Sequence, residues 1–474
     1  MTSVVPSGAS GATTAPATPS PRPLVVAANR LPVMRGPEGW TPSPGGLVRA
    51  LMPLVRAGGG QWLGWTGSPD DAHAPFELDG VTIVPIALSA TEIEAYYEGF
   101  SNDTLWPLYH DALRDSTYSA EQWDVYRSVN ERFAEALAAR APSGAAVWLH
   151  DYHLQLVPAM LRARRPDVLI GFFLHIPFPP IELFTRLPWR TEVIEGLLGA
   201  DLVGFQRQLG ASNFVTAAER LTGVTVSEGV VELAGHRTRI DVFPISIDVD
   251  EFESVAAGRR TRQRTSQIRA RLGDPEVVLL GVDRLDYTKG IGARLAAFGG
   301  LLDEGRLDPE RCVLVQVATP TREGVEHYQD ERREIERLVG EINGRHARIG
   351  MPVVHYLYRS LPLDELVPLY RAGDVMLVTP FRDGMNLVAK EYVASHIDGD
   401  GVLVLSEFTG AADELREAVL VNPHDSEAVK QAIVDAVEMH RHERRARMAA
   451  MQRTVRESDL SLWARHFLDA LHAA

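Results

Sequence analysis

Apolar residues gather into short, β-branched runs along the chain, and each run gives way to a stretch with helical spacing. Such runs lie at 24–27, 146–149, 169–174 and 201–205, and again at 277–281, 312–317, 375–378 and 401–405. Strand-like runs alternating with helical segments predict βαβ units and parallel sheets. Two sets of runs predict two doubly wound domains. The apolar segment 243–248 closes the first set, and a charged stretch with helical character follows at 251–272. The expected division is therefore 24–248 and 249–455. Leu460, Trp463, Phe467, Leu468 and Leu471 recur at helical spacing. They predict a final helix within 456–474 that packs back on the first domain.

Polar residues enter where these runs stop. The first run opens into Asn29 and Arg30, the second into His150, Asp151, Tyr152 and His153, and the third into His175. In the second half the run at 277–281 opens into Asp283 and Arg284, and that at 375–378 into Arg382, Asp383 and Gly384. Open α/β sheets bind ligands beyond the carboxyl ends of their strands. Two sheets with loaded edges turned toward each other would enclose a cleft.

Composition narrows the partners. The 474 residues are 45% hydrophobic and 23% charged, as expected of a globular enzyme. Their 48 Lys and Arg against 63 Asp and Glu leave a net charge of −15, which argues against nucleic-acid or anionic-membrane binding. A single cysteine, Cys312, rules out a disulfide framework or a thiolate zinc site within one chain. No apolar stretch is long enough for a membrane span. Residues 1–23 are rich in Ser, Thr, Ala, Gly and Pro and lack a signal-peptide pattern, so a disordered tail and a cytoplasmic protein are expected.

Several segments carry candidate chemistry. Gly45 and Gly46 precede a helical pattern at 48–55, where exposed amides could hold a diphosphate; by itself the pair also fits an ordinary turn. Residues 281–290, GVDRLDYTKG, put Arg284 and Lys289 on one loop after a strand, where two cations could neutralise a leaving diphosphate without a metal. A solvated loop with a salt bridge is the alternative. Residues 379–392, TPFRDGMNLVAKEY, read as strand, turn and helix. Gly384 permits the turn, and the amides of Asn386, Leu387 and Val388 form an anion site in the first helical turn. Glu391 follows, placed either for ribose hydroxyls or for a surface ion pair. His150, Asp151 and His153 follow a strand and lack a third outside ligand, which argues against a metal. Asp248-Val249-Asp250 matches a three-residue metal motif and is read as chance.

Taken in order, ANRLP (28–32), the glycine pair, YYEGFSNDTLWP (96–107), HDYHL (150–154), GFFLHIPFP (171–179), DLVGFQ (201–206), GVDRLDYTKG, HYQDER (327–332), EINGR (341–345), the 379–392 segment and GVLVLSEFTGAADEL (401–415) resemble the trehalose-6-phosphate synthases, family 20 of the glycosyltransferases. The resemblance runs over roughly 24–470. It implies a GT-B architecture, two Rossmann-like domains facing across a catalytic cleft. It implies glucose transfer from a nucleotide-glucose to glucose 6-phosphate with retained configuration, by front-face attack and without a metal or other cofactor.

On the donor side the resemblance places Gly45, Gly46, His175, Arg284, Lys289, Asp383 and Glu391. It adds the loop and amides of Gly384, Met385, Asn386, Leu387 and Val388, with the backbone of Leu361 at the base. On the acceptor side it places Arg30, Tyr97, Trp106, Asp151 and Arg322, with Trp65 as a further lining residue and the two arginines on the sugar phosphate. Arg284, Lys289, His175, Asp151 and Asp383 are the residues expected nearest the reaction. The nucleotide (UDP, GDP or ADP) and self-association into a homo-oligomer are left open. The rival readings are a pseudo-glycosyltransferase of aminocyclitol biosynthesis and a non-catalytic regulatory relative. Intact Arg30, Tyr97, Trp106 and Arg322 argue against the first, and intact Arg284, Lys289, Asp383 and Glu391 against the second.

Overall fold

The computed structural model describes residues 22–36, 39–43, 46–57, 59–112, 118–322 and 324–474. Among these residues two large sheets form. In the first, seven parallel strands run Leu24–Arg30, Gln61–Trp65, Val81–Pro85, Ala146–His150, Leu169–Leu174, Leu202–Phe205 and His236–Val242 in chain order. Numbered in that order, they lie 3-2-1-4-5-6-7 across the sheet, with short antiparallel strands at both edges. The second sheet is parallel throughout, from Val277–Arg284, Cys312–Thr319, Val354–Tyr358, Val375–Val378, Val402–Ser406 and Val419–Val421. Its order is 3-2-1-4-5-6. Both are doubly wound, Rossmann-like sheets, and the architecture is GT-B.

Helices cover both faces, so the central strands read as unbroken apolar runs; Val25 to Ala27 and Val278 to Leu280 are all buried to 1% exposure or less. Strands Gln61–Trp65 and Val81–Pro85 escape the run pattern. The first mixes polar, glycine and aromatic residues, and the second is short and ends in proline. The charged stretch after 248 is two helices, Val249–Ala257 and Arg259–Arg271, parted at Gly258. Asp248 caps the first by accepting from the Glu251 amide at 3.0 Å, so the acidic triplet serves a helix terminus.

The last helix, Leu460–His472, lies on the first sheet although the chain reaches it from the second. The Leu460 amide donates to Ile247 O at 3.1 Å, and Trp463 Nε1 to Phe243 O at 3.1 Å. The Phe467 ring stacks on Trp148, with centroids 4.3 Å apart. Further contacts close the gap between the sheets. Lys390 Nζ, fully buried, donates to Ile245 O and Glu414 Oε1, and Arg207 grips Asp413 through two bonds of 2.6 and 2.8 Å. The carboxyl ends of both sets of strands therefore face one cleft. Among the described residues no helix is long and apolar enough to cross a membrane.

Candidate active site

In a 3-2-1-4 sheet the crevice opens where strand order reverses, between strands 1 and 4. In the first sheet that point lies between the ends of Leu24–Arg30 and Ala146–His150, which present Arg30 and Asp151. In the second it lies between Val277–Arg284 and Val375–Val378, which present Arg284 and the loop to Asp383. A cavity of about 660 Å³ joins the two points. Arg30, Tyr97, Trp106, Asp151, His175, Arg284, Arg322 and Asp383 all line it.

The first sheet's side is built on stacked rings. The Arg30 guanidinium lies 4.1 Å above the Trp65 ring and 5.5 Å from Tyr97. Trp65 is 2% exposed and does not line the cavity; it forms the bed on which Arg30 rests. Tyr97 stacks on His153 and meets Trp65 edge-on. It sits on a π-helix, Ile93–Leu105, at whose end the Trp106 amide reaches back five residues to Ser101 O. Burial alone would raise the Tyr97 phenol, but the charges of Arg322 and Arg30 outweigh it and lower its pKa.

Arg322 comes from the second half of the chain, yet it lies over Trp106, 3.9 Å from the ring centroid. It donates to Asp286 Oδ2 at 3.1 Å, to Tyr152 OH at 3.1 Å and to Tyr328 OH. Its side chain is 4% exposed and that of Asp286 is 0%. Burial would raise the Asp286 carboxyl; the charges of Arg322 and Lys289 instead hold it at about 2. Sequence reasoning passed over Asp286, Tyr152 and Tyr328, although each lies inside a segment it singled out. The only trace of Asp286 in the sequence is its place between the two loop cations, Arg284 and Lys289.

Asp151 has φ +73° and ψ 168°, a region populated almost only by glycine. Its amide is tied to Phe173 O at 2.8 Å, and Oδ1 accepts from the His175 amide at 3.3 Å. Burial pushes its pKa up to about 6, against the pull of the Tyr152 and His175 amides and of Arg284 and Arg322. Arg322 (φ +48°) and Asn386 (φ +71°) are also left-handed. Strain of about 1–3 kcal/mol at such a residue persists only where its surroundings over-determine it. His175 is driven down to about 3 by burial and is neutral near pH 7.

On the second sheet's side, Lys289 Nζ donates to Asp383 Oδ2 at 2.5 Å. Burial opposes ionisation of Asp383, and Lys289 more than restores it, so its pKa is lowered. Asp383 also accepts from the Gly384 amide at 2.9 Å and from Asn386 Nδ2 at 3.1 Å. Asn386 caps the helix Leu387–Ser395 by accepting from the Ala389 amide, which leaves the early amides of that helix at the carboxyl edge. Gly384 does not supply the turn expected of it from the sequence. Its φ is not positive, and the left-handed turn falls on Asn386. Glycine is required at 384 because a Cβ there would lie 2.0 Å from His175 O, where the two sheets touch.

Met385 is buried behind this loop. Glu391 accepts from Tyr370 OH at 2.7 Å, and Leu361 packs on the apolar core after strand Val354–Tyr358; neither lines the cavity. Gly46 begins the helix Gly46–Ala57, whereas Gly45 lies outside the described residues. His150 lies at the cavity floor and His153 stacks beneath Tyr97. Among the described residues no three His, Cys, Asp or Glu side chains converge as a metal site would require.

The glycosyltransferase family 20 model matches residues 23–473. A trehalose-6-phosphate synthase of Mycolicibacterium gilvum is 56% identical over 468 residues, covering 94% of this chain and 93% of that protein. The crystal structure of an alpha,alpha-trehalose-phosphate synthase (UDP-forming) from Burkholderia vietnamiensis superposes with a TM-score of 0.90 at 36% identity, covering 96% of this chain and 100% of that one. The UDP-forming enzyme from Burkholderia xenovorans, in complex with glucose-6-phosphate, gives 0.88 at 34% identity, with coverage of 95% and 100%.

Proposed function

The chain belongs to glycosyltransferase family 20 and is a glucosyltransferase of the trehalose-6-phosphate synthase type, and from that premise we propose how it works. Glucose passes from a nucleotide-glucose to glucose 6-phosphate, giving α,α-trehalose 6-phosphate and a nucleoside diphosphate. The observation that carries this reading is the single cavity in which Arg30 and Arg322, among aromatic rings, face Arg284 and the Asp383 loop.

Residues 24–248 chiefly bind the acceptor and 249–455 the donor, with 456–474 returning to the first. The donor diphosphate lies between Gly46, Arg284, Lys289 and the amides of Asn386, Leu387 and Val388. The ribose meets Glu391, and the base meets the backbone of Leu361. The glucosyl ring lies by His175, Asp383, Gly384 and Met385. Glucose 6-phosphate lies among Tyr97, Trp106 and Asp151, its phosphate between Arg30 and Arg322. A phosphate of nearly two charges suits planar guanidinium groups whose positions are already fixed by stacking.

The acceptor hydroxyl attacks from the face the diphosphate leaves, and a departing diphosphate oxygen takes its proton. Configuration is retained without a covalent enzyme intermediate. Negative charge grows on the leaving group, so Arg284 and Lys289 stabilise the transition state more than the bound donor. Two cations in that position make a divalent metal unnecessary. The nucleotide is uridine, guanosine or adenosine diphosphate, with UDP-glucose first in line because the Burkholderia neighbours are described as UDP-forming.

The test supplies glucose 6-phosphate with UDP-, GDP- and ADP-glucose in turn, with and without EDTA, and identifies the product by NMR. Phosphorylated α,α-trehalose, formed equally under chelation, is expected. An inverted linkage, or activity lost to EDTA and restored by Mg²⁺, would overturn the mechanism. No disaccharide from any donor would overturn the function.

A further inference from the structure

His150 belongs to none of the roles given above, yet it is fully buried at the end of strand Ala146–His150, directly beneath His175. Its Nδ1 lies 3.1 Å from His175 Nε2. Burial drives both rings well below the ordinary imidazole range, so both are neutral near pH 7. Two neutral imidazoles at this distance share one proton: one ring donates and the other accepts.

The far side of His150 decides the direction. His150 Nε2 is buried and has no partner among the described residues. If Nδ1 accepted, the ring proton would sit on Nε2 as a buried N–H with no acceptor. Its nearby ring is Trp148, 4.9 Å away, whose own indole N–H is also buried and unpartnered. Two orphaned N–H groups would then lie on neighbouring rings of one strand, that of Trp148 packed under Trp463 and Phe467. Orphaned buried N–H groups are rarer in proteins than under-used acceptors. With the proton on Nδ1, only a lone pair is left unused.

We propose that His150 is a positioning residue, which donates from Nδ1 to His175 Nε2 and thereby fixes His175 as its Nδ1–H tautomer. His175 lines the cavity and so meets a ligand there as a hydrogen-bond donor, suited to a sugar hydroxyl oxygen. That consequence rests on the placement of the donor glucose beside His175; the tautomer does not. In that placement His175 touches the sugar, and His150, deeper in the cavity floor, acts through His175.

Two variants and one spectrum test this. An asparagine amide nitrogen can occupy the place of imidazole Nδ1, so His150→Asn keeps a donor there, and His150→Phe keeps the ring without one. In the wild type, ¹⁵N NMR of labelled histidine, with His175 assigned by its loss in His175→Gln, should show the proton on Nδ1. In His150→Phe that signature should shift toward Nε2–H or a mixture. With UDP-glucose and glucose 6-phosphate, kcat should fall about 10- to 100-fold in His150→Phe, by analogy with the loss when the outer partner of a metal-ligating imidazole is removed. The acceptor KM should hold, and His150→Asn should recover most of the loss. An Nε2–H tautomer in the wild type overturns the proposal. Equal losses in both variants overturn it as well, since position 150 would then matter only for packing. If the wild type transfers no glucose from UDP-, GDP- or ADP-glucose, the functional reading fails while the spectrum still decides the tautomer.

Discussion

The two walls of the cleft are made differently. The second sheet's wall comes from two continuous segments, 281–290 and 379–392, in which a strand end, a loop and a helix start deliver Arg284, Lys289, Asp383 and the helix amides together. The first sheet's wall is assembled from separate places: Arg30 on Trp65, Tyr97 on a π-helix, Asp151 in a strained turn, and Arg322 reaching across from the other domain to lie on Trp106. A diphosphate can be held by local backbone and loop charge. A sugar phosphate that must be oriented for attack needs walls on several sides, which no single segment supplies. The difference makes the second wall, the proposed donor side, depend on local sequence and the first, the proposed acceptor side, depend on packing.

Substitutions that respect one wall and damage the other sharpen this contrast. The largest effect should come from Arg284→Ala or Lys289→Ala, with kcat down about 100-fold or more, as when one donor to a developing charge is removed. The protein should remain folded, and steady-state kinetics with a melting curve would check both points. Near-normal turnover would separate the loop cations from the leaving group.

Arg322 also balances the buried Asp286, so removing it outright would strand a charge at a cost of about 3–5 kcal/mol. Arg322→Lys keeps the charge and loses the planar fork. The KM for glucose 6-phosphate should rise about 10-fold or more while that for the nucleotide-sugar changes little. A shared rise in both would blur the two walls into one.

A smaller effect concerns pH. Asp151 titrates at about 6 in the folded protein, raised by burial, against about 3.9 when unfolded. A raised carboxyl pKa contributes stability that is complete below about pH 4 and is lost as pH rises through about 6. Urea unfolding of wild type and Asp151→Asn across that window should therefore show a less steep fall with rising pH in the variant. Parallel curves would mean that burial does not perturb Asp151. The smallest expected change is Gly67→Ala. A Cβ at 67, where φ is +103°, would lie 1.8 Å from Arg30 Nη1 and must displace it. Acceptor KM should rise several-fold with donor KM intact, and unchanged acceptor kinetics would show that Arg30 need not lie where Trp65 holds it.

The same contrast explains what could be read without a structure. Central strands such as Val277–Arg284 and Leu169–Leu174 were legible because burial on both faces leaves an unbroken apolar run. The cations and amides of the second wall could be grouped from sequence because they share short segments with the turn that places them. Strands Gln61–Trp65 and Val81–Pro85 were not, since their composition mixes the signals. On the first wall, Arg30 and Asp151 stood out at strand ends, whereas Tyr97, Trp106 and Arg322 were reached only through resemblance to a family, because stacking of Arg322 on Trp106 is a tertiary contact with no local trace. Asp286 went unnoticed for a related reason: its role is to balance charges, which becomes visible only when the loop is folded over it. Gly384 was noticed for the wrong cause, because a close approach from another domain leaves no mark in the chain.

The division of labour between the walls is tested most directly by calorimetric binding to Arg322→Lys and Lys289→Ala, titrating each separately with glucose 6-phosphate and with UDP. Arg322→Lys should lose affinity for the sugar phosphate and keep it for the nucleotide, and Lys289→Ala should do the reverse. Equal loss of both ligands in either folded variant would contradict the account.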